Sequence, residues 1–370
     1  MIKFLTSTVL FFLLLTFAAC NPSDEPAIGS EDEIYVMADS AEYQQLEPAL
    51  DSAFEKIIYT PQPENLFTLQ RISPNELENY KHRKNLIIVA PLNSNSITSR
   101  FINAVTDSAA KEKIKQEKNI YINKYNLWAK NQLVMILTAP TLQELEYEIL
   151  NNSDNLLYAF QKISDKRLSE SLYSPSYEQE NIEGMLLKNY GWIIYVQADY
   201  QVALNVQKNN FVWLRRAPGS DMERWIFVHW IDDASPAYLN SDSIRTIRNR
   251  MTKKYYRTTD DSSYVVIAAD YFTTNEVNFK GRYAILTQGL WELNVKGMGG
   301  PFINYTFFDE KTKRIYMLDG SLFAPKYYKR NLIQQMDVTL QSFMTEAELS
   351  KDKKEDLLNA AKDYNPKYGK

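Results

Sequence analysis

After an opening run of its own kind, two hydrophobic spacings alternate along this chain. Residues 4–17 are apolar except for Thr6, Ser7, Thr8 and Thr16. From residue 34 onward, short apolar runs are separated by longer stretches with an apolar residue every three or four positions. Short runs predict strands and the longer stretches predict helices. Residues 34–38 and 86–90 predict strands, the second wholly apolar and therefore central in a sheet. Between them, Leu46, Ala49, Leu50, Ala53, Phe54 and Ile57 place a helix over 42–58, and 67–69 predicts another strand. Residues 97–118 predict one helix, and 119–126 with 132–137 a hairpin with Trp128 near its turn. Thr141-Leu142-Gln143-Glu144 has capping-box spacing and opens a helix continued by Leu145, Ile149 and Leu150.

Residues 163–181 are polar, with serines on both sides of Pro175, and predict a partly helical bridge. Beyond it, runs rich in aromatic and β-branched residues predict strands at 192–197, 202–206, 211–214 and 225–231, with a tight turn at Asn209-Asn210. A basic amphipathic helix follows over 241–256, then strands at 264–268, 282–286 and 290–295. A hairpin at 302–307 and 314–318 precedes helices over 326–344 and 345–361. The predicted fold is α+β in two lobes, 34–163 and 182–361, each a mainly antiparallel sheet with packed helices. A charged tail, 362–370, ends the chain, and no repeat at a fixed period is present.

The opening run changes the picture most. Lys3 supplies a positive start, the apolar stretch is too short to span a bilayer, and Ala18-Ala19 are small. Residues 1–19 predict a cleaved signal peptide. Phe17-Ala18-Ala19-Cys20 resembles a bacterial lipobox, with Phe where Leu is more usual, so the chain's single Cys is the expected lipidation site. Acyl chains such as palmitate anchor stably because each buried CH₂ contributes about 0.8 kcal/mol. Asn21 is not the Asp of an inner-membrane retention signal, which favours the outer membrane of a Gram-negative envelope. Residues 20–33, with Pro22, Pro26, Gly29 and the acids Glu31, Asp32 and Glu33, read as an acidic tether.

Composition narrows the chemistry. In 370 residues, 42 Lys and Arg stand against 46 Asp and Glu, so nucleic acid is not an expected partner. One Cys excludes an internal disulfide and a cysteine zinc cluster; two histidines, His82 and His229, leave little for a triad or a metal site, and no metal or cofactor is expected.

Gly297-Met298-Gly299-Gly300-Pro301-Phe302 concentrates three of 11 glycines between two predicted strands. It reads as a candidate binding loop or as a sharp turn; it has neither the Lys-Ser/Thr of a P-loop nor a following helix. A candidate polar surface comprises Arg215, Arg216, Glu223 and Arg224, with an Arg stacked on Trp213 or Trp225 and paired with Glu223, together with His229 and Asp233 on one strand face. Residues 245–254 and 326–330 are basic patches that read either as solvated helix surface or as contacts for lipid headgroups or an acidic partner. The 25 Tyr and 6 Trp would serve as sugar-stacking platforms or simply as good strand formers.

The lipobox, Trp291-Glu292, Met298-Gly299-Gly300-Pro301-Phe302, Ala324-Pro325 and Lys329-Arg330 before an apolar helix resemble an uncharacterised family of bacterial envelope lipoproteins, the domain of unknown function 4837 family. The resemblance implies lipoprotein character and an envelope location, with no assigned activity or catalytic residues. The expected function is a lipid-anchored, non-enzymatic module whose partners are the membrane, through Cys20, and an envelope protein or glycan. The alternative is a carboxylate-based hydrolase of an envelope glycan or peptidoglycan. That reading requires two acids lining one cleft, one with a raised pKa.

Overall fold

The structure of the protein, a computed structural model, describes residues 25–362 and 364, apart from 59, 118–120 and 296. The expected signal peptide, Cys20 and most of the charged tail lie outside the described residues. Two separate sheets, each with its own cores, give an α+β architecture.

The first half runs β1 (Glu33–Met37), α1 (Ser40–Phe54), a two-residue-strand hairpin of β2 (Ile57–Ile58) and β3 (Glu64–Asn65), β4 (Thr68–Ile72), α2 (Leu77–Tyr80), β5 (Asn85–Val89), α3 (Ile97–Val105), α4 (Ser108–Glu117), β6 (Tyr121–Tyr125), β7 (Leu133–Leu137), α5 (Leu142–Asn151) and α6 (Ser153–Leu172). The five-stranded sheet has the order β4-β1-β5-β7-β6. Here the expectation of a mainly antiparallel sheet is corrected: β4, β1, β5 and β7 are parallel, and only β6 is antiparallel. Helical segments on the connections return the chain to the same end of the sheet, whereas the β6–β7 turn reverses it. Helices cover both faces, so β5 and β7 are buried at every residue. Ile87, Val89 and Met135 face α1, α5 and α6; Leu86, Ile88 and Val134 face α3 and α4.

Two further expectations change in this half. The helix over 97–118 is two helices, because Thr106 is extended and the Asp107 carboxylate accepts from the Ala110 amide at the start of α4. The described part of the tether is docked. Ala27 N–H donates to Lys130 O at 2.9 Å, Ile28 N–H donates to His82 O at 3.0 Å, and Glu31 pairs with Arg167 at 2.9 Å and Lys84 at 2.7 Å.

The second half runs α7 (Glu180–Tyr190), β8 (Trp192–Ile193), β9 (Tyr200–Val206), β10 (Phe211–Arg216), β11 (Glu223–Ile231), α8 (Ser241–Tyr255), β12 (Val265–Phe279), β13 (Arg282–Leu293), β14 (Gly299–Asp309), β15 (Arg314–Phe323), α9 (Arg330–Gln341), β16 (Met344–Thr345) and α10 (Lys351–Ala360). Its seven-stranded sheet, order β12-β13-β14-β15-β11-β10-β9, is antiparallel throughout, as expected. The three strands predicted over 264–295 are the two long arms of one hairpin, β12 and β13. Residues from α7 and α9 pack on one face, and α8 packs on the other.

The halves meet where α6 packs on α9. The Glu64 carboxylate accepts from the Lys329 and Arg330 amides at 2.8–2.9 Å, and Arg330 Nε donates to Leu66 O at 2.8 Å. The basic patch expected over 326–330 is therefore only partly surface. Lys329 and Arg330 are buried, with the Lys329 ammonium on Gln62 and Tyr327 O and the Arg330 guanidinium on Leu66 O, Asn331 and Gln334, and Tyr328 remains exposed. Gln334 donates to Asp165 at 2.8 Å, and Tyr173 donates to Val338 O. Burial, reinforced by the charge of Asp337, pushes the Asp165 carboxyl up to about 6, against opposing contributions from Gln334 and Arg330.

A carboxyl raised in the folded state holds its proton more tightly there than in the unfolded chain. Its stabilising contribution is complete below the unfolded value near 3.9 and is lost as pH rises through about 6. Asp165→Asn is expected to match wild type near pH ~4 and to be more stable by about 3 kcal/mol above pH ~7. Urea denaturation at the two pH values checks this, and an unchanged pH dependence in the variant would contradict it.

Candidate functional site

In doubly wound sheets, ligands occupy the crevice beyond the carboxyl ends of strands where the strand order reverses. In the first half that place lies beyond β1 and β5, and the chain fills it with its own acids. Asp39 accepts from the Thr98 amide at 2.9 Å, taking the anion position at the start of α3. Glu42 accepts from the Ser94 hydroxyl and, at 3.0 Å, from that of Ser96. Burial alone would raise the Asp39 carboxyl, but the hydrogen bonds from Thr98 and Ile97 outweigh it and hold Asp39 below its ordinary value.

The second half leaves more unfilled. Strand alternation puts Trp213 and Arg215 of β10 on the same sheet face as Glu223, Trp225, Phe227 and His229 of β11. Across this face lies α8, the basic helix. Sequence reading placed residues 245–254 on a solvated or ligand-facing patch, yet Arg248 is fully buried. Its Nε donates to Asp319 at 2.7 Å, its Nη2 donates to the Ser321 hydroxyl at 3.0 Å, and its guanidinium stacks 3.6 Å over the Phe302 ring. Asn304 completes the acceptance at Asp319, at 3.0 Å. Arg248 lies among Ile244, Ile247 and Met251 on the apolar stripe of α8, and Asp319 is a lone acid in an apolar strand. That pairing of exceptions was the available clue.

Pinned there, α8 leaves a recess on each side. The first is a pocket of about 280 Å³ lined by Trp213, Trp225, Tyr256, Trp291, Met298 and the Arg215–Glu223 pair, among others. Trp213 and Tyr256 lie 4.5 Å apart between ring centroids, Trp225 and Tyr256 5.4 Å, and Trp225 and Trp291 4.9 Å. As the sequence suggested, Arg215 stacks on Trp213 at 5.1 Å and pairs with Glu223 at 2.6 Å. Glu223 also accepts from Trp225 Nε1 at 2.7 Å and from the Gly219 amide. Among the described residues, Trp213 Nε1, Arg215 Nε and the Tyr256 hydroxyl are buried without a partner.

The second recess, about 720 Å³, is a broad groove lined by His229, Asn210, Lys208, Asp242 and Arg250, among others. His229 Nδ1 lies 2.8 Å from Asn210 O, and Nε2 has no partner among the described residues. Burial, with the nearby Arg250 charge, lowers the His229 pKa, so the imidazole is neutral at pH ~7.

The predicted polar surface therefore divides. Arg215 and Glu223 line the aromatic pocket, and His229 lies across α8 in the groove. Arg216 and Arg224 alternate to the opposite face, where Arg216 pairs with Asp199 and Arg224 donates to Gln335 at 2.7 Å. Asp233 follows the strand in a left-handed turn and lines a separate depression. Glu223, Arg224 and His229 are buried, so these residues do not form one surface.

The candidate binding loop also divides. Residues Gly299, Gly300, Pro301 and Phe302 are strand, paired to β13, and Gly297 and Met298 are the connection. Gly300 is needed for close approach: a Cβ there would lie 2.0 Å from Leu322 O and 3.1 Å from Trp291 Nε1. The Trp291 indole crosses this bare backbone and donates to Leu322 O at 3.1 Å, which fixes one wall of the pocket. Neither Trp291 nor Tyr256 was expected at a site, because strand register from β13 through β14 and β15 to β11 brings Trp291 to Trp225, and the end of α8 brings Tyr256 there. Among the described residues, no group of three or more His, Cys, Asp or Glu is placed to hold a metal, and no helix is long and apolar enough to cross a membrane.

Residues 178–342, which carry both recesses, match the sequence model of a family described as Domain of unknown function (DUF4837). This part of the chain belongs to that family. Residues 27–173 match a second model, Domain of unknown function (DUF8532). Among solved structures, the Ran-binding protein Mog1p of Saccharomyces cerevisiae is similar at 9% identity and a TM-score of 0.29, covering 42% of this chain and 90% of that one. No curated protein matches.

In the DUF4837 domain, Gly300→Ala is expected to cost about 2–3 kcal/mol, because strand or indole must shift. Met298→Ala, at a 39% exposed position, should stay within about 0.5 kcal/mol. Urea unfolding followed by tryptophan emission tests both; equal midpoints would show the Gly300 contact to be relaxed.

Proposed function

We propose that the protein is a non-enzymatic binding module, held by lipid on Cys20 at the outer membrane of a Gram-negative envelope, and that the aromatic pocket of the DUF4837 domain is its binding site. One observation carries the reading: three tryptophans, a tyrosine and the Arg215–Glu223 pair line one recess of about 280 Å³ with Met298 at its side. A mostly apolar, aromatic recess with a few fixed polar groups is the form that small-molecule sites take. Both Glu223 oxygens are already engaged. The pocket therefore offers recognition and has no free carboxylate pair for hydrolysis. Burial raises the Asp165, Asp337 and Glu183 carboxyls, but the first two sit in the α6–α9 seam, tied to Gln334 and to Tyr305 and Gln341, and Glu183, beside Glu178, is buried under α7 and accepts from the Val196 amide at 2.8 Å. None of the three lines the pocket or the groove. The lipobox supports the anchor, because acyl chains on the mature N-terminus would hold the folded body at a bilayer surface.

Met298 lies at the pocket mouth, so Met298→Trp should fill the entrance while leaving the core intact. Immobilised wild-type protein is expected to retain a glycan or protein component of an envelope extract that the variant does not. Equal retention would remove the pocket as the site. Separately, Cys20→Ala should move the protein from the membrane fraction to the soluble one, and full membrane association in that variant would contradict the anchor.

A further inference from the structure

We propose that the outer edge of β12 is an interface and that its occupant is a second copy of this chain. The two β12 strands pair antiparallel about a two-fold axis at Thr274, joining two seven-stranded sheets into one.

The edge is open by its place in the sheet. β12 is the terminal strand and pairs with β13 alone among the described strands. Their hairpin closes on Lys280 and Gly281, both at positive φ, with Phe279 opposite Arg282. A two-residue turn of this kind makes Phe279 and Arg282 a hydrogen-bonded pair, so Phe279, Val277, Asn275 and Thr273 turn their backbone groups toward β13. Phe272, Thr274, Glu276 and Asn278 turn theirs outward, where no partner is present among the described residues. Helix α8 covers only the start of the strand: Asn249 accepts from the Ile267 amide at 2.9 Å, and the Arg245 guanidinium lies 4.2 Å over the Phe272 ring.

Exposed sheet edges template pairing with other chains, and proteins blunt them with lysines, prolines or bulges. Other edges here follow that rule. β6 carries Lys124, and β9 is bulged at Ala203, where its pairing to β10 shifts between Trp213 and Leu214. The irregular part of β12 ends at Phe272; from there to Phe279 the pairing is unbroken and the strand holds no Lys, Arg or Pro.

Self-complementarity selects the occupant. Ladder bonds form only in registers that set outward residues opposite one another. Glu276 opposite itself, or opposite Asp270, would bring like charges together. With Thr274 opposite the partner's Thr274, the threonines make a favourable cross-strand pair, and Phe272 faces the partner's Glu276. Phe272 is the ring that Arg245 covers, so the exposed guanidinium of each copy meets the exposed carboxylate of the other. Neither Arg245 nor Glu276 has an ion-pair partner among the described residues; Glu276 lies beside the Tyr283 hydroxyl. Moving the axis to Asn275 would carry the acid to Thr274, away from Arg245. An unrelated strand could satisfy the ladder, but the placement of these two charges fits the chain itself.

Light scattering on the detergent-solubilised full chain over a concentration series is expected to give a dimer. Thr274→Lys, which sets two ammonium groups face to face at the axis, should give a monomer. Arg245→Glu should raise the dimer dissociation constant about tenfold, and adding Glu276→Arg should restore it. This exchange keeps the test decisive should Thr274→Lys disturb the strand. Register is read by oxidation. In a hydrogen-bonded pair the two Cα atoms lie about 5.5 Å apart, within disulfide reach, so Thr274→Cys should cross-link two chains. Asn278→Cys, about 26 Å from its copy in this register, and Gln201→Cys on the far edge should cross-link no more than wild type. A monomeric wild type would overturn the proposal and leave the edge to a strand of another protein. So would a dimer that neither Thr274→Lys nor Arg245→Glu weakens, or cross-linking through Asn278→Cys as complete as through Thr274→Cys.

Discussion

The second half of the molecule is organised around one buried ion pair. Arg248 and Asp319 are both fully enclosed, 2.7 Å apart, and tie α8 to the middle of the seven-stranded sheet. Taking two charges out of water is costly, and neighbours offset much of it: Asn304 and Ser321 donate to Asp319 and Phe302 supports the guanidinium, with Arg248 Nη1 alone left without a partner among the described residues. Such a pair is weak evidence for stability but strongly fixes position, since any displacement of α8 would leave an uncompensated buried charge. The position of α8 defines the pocket, because Tyr256 directly follows the helix and faces Trp213 and Trp225.

The same economy of polar groups distinguishes the places that are filled from those left open. Asp39 occupies the N-terminus of α3, Glu64 caps the start of α9, and Glu42 is satisfied by two serines. Each is a natural anion or ligand position closed from within. In the aromatic pocket the cation and the acid satisfy one another, and three tryptophans and a tyrosine leave a recess around them. A polar inventory of this kind assigns a site more firmly than pocket size, since the larger groove beside His229 mixes Lys208 and Arg250 with Asp232 and Asp242 and favours no single charge.

Local pattern made much of the fold legible. The all-apolar β5 and β7 read as central strands, and the Thr141 capping box is present, with Glu144 N–H donating to the Thr141 hydroxyl at 3.3 Å. Strand direction was not legible, because a buried strand looks the same in parallel and antiparallel sheets. The Arg215–Trp213–Glu223 cluster could be read because its members lie within one hairpin. Trp291 and Tyr256 could not, since they arrive through strand register and a helix end. Arg248 and Arg330 were misread for a common reason: each belongs to a run of basic residues, and charge density hid the one member that turns inward. Gly300 was noticed, but its purpose is passage of the Trp291 indole and not an exposed backbone for a ligand.

The most direct test is amide hydrogen exchange on Asp319→Ala. The account predicts that residues 241–259 lose protection while the seven-stranded sheet and the five-stranded sheet keep theirs, because the ion pair holds the helix and the pocket wall that follows it. Unchanged protection across α8, or a uniform loss throughout the seven-stranded sheet, would contradict it.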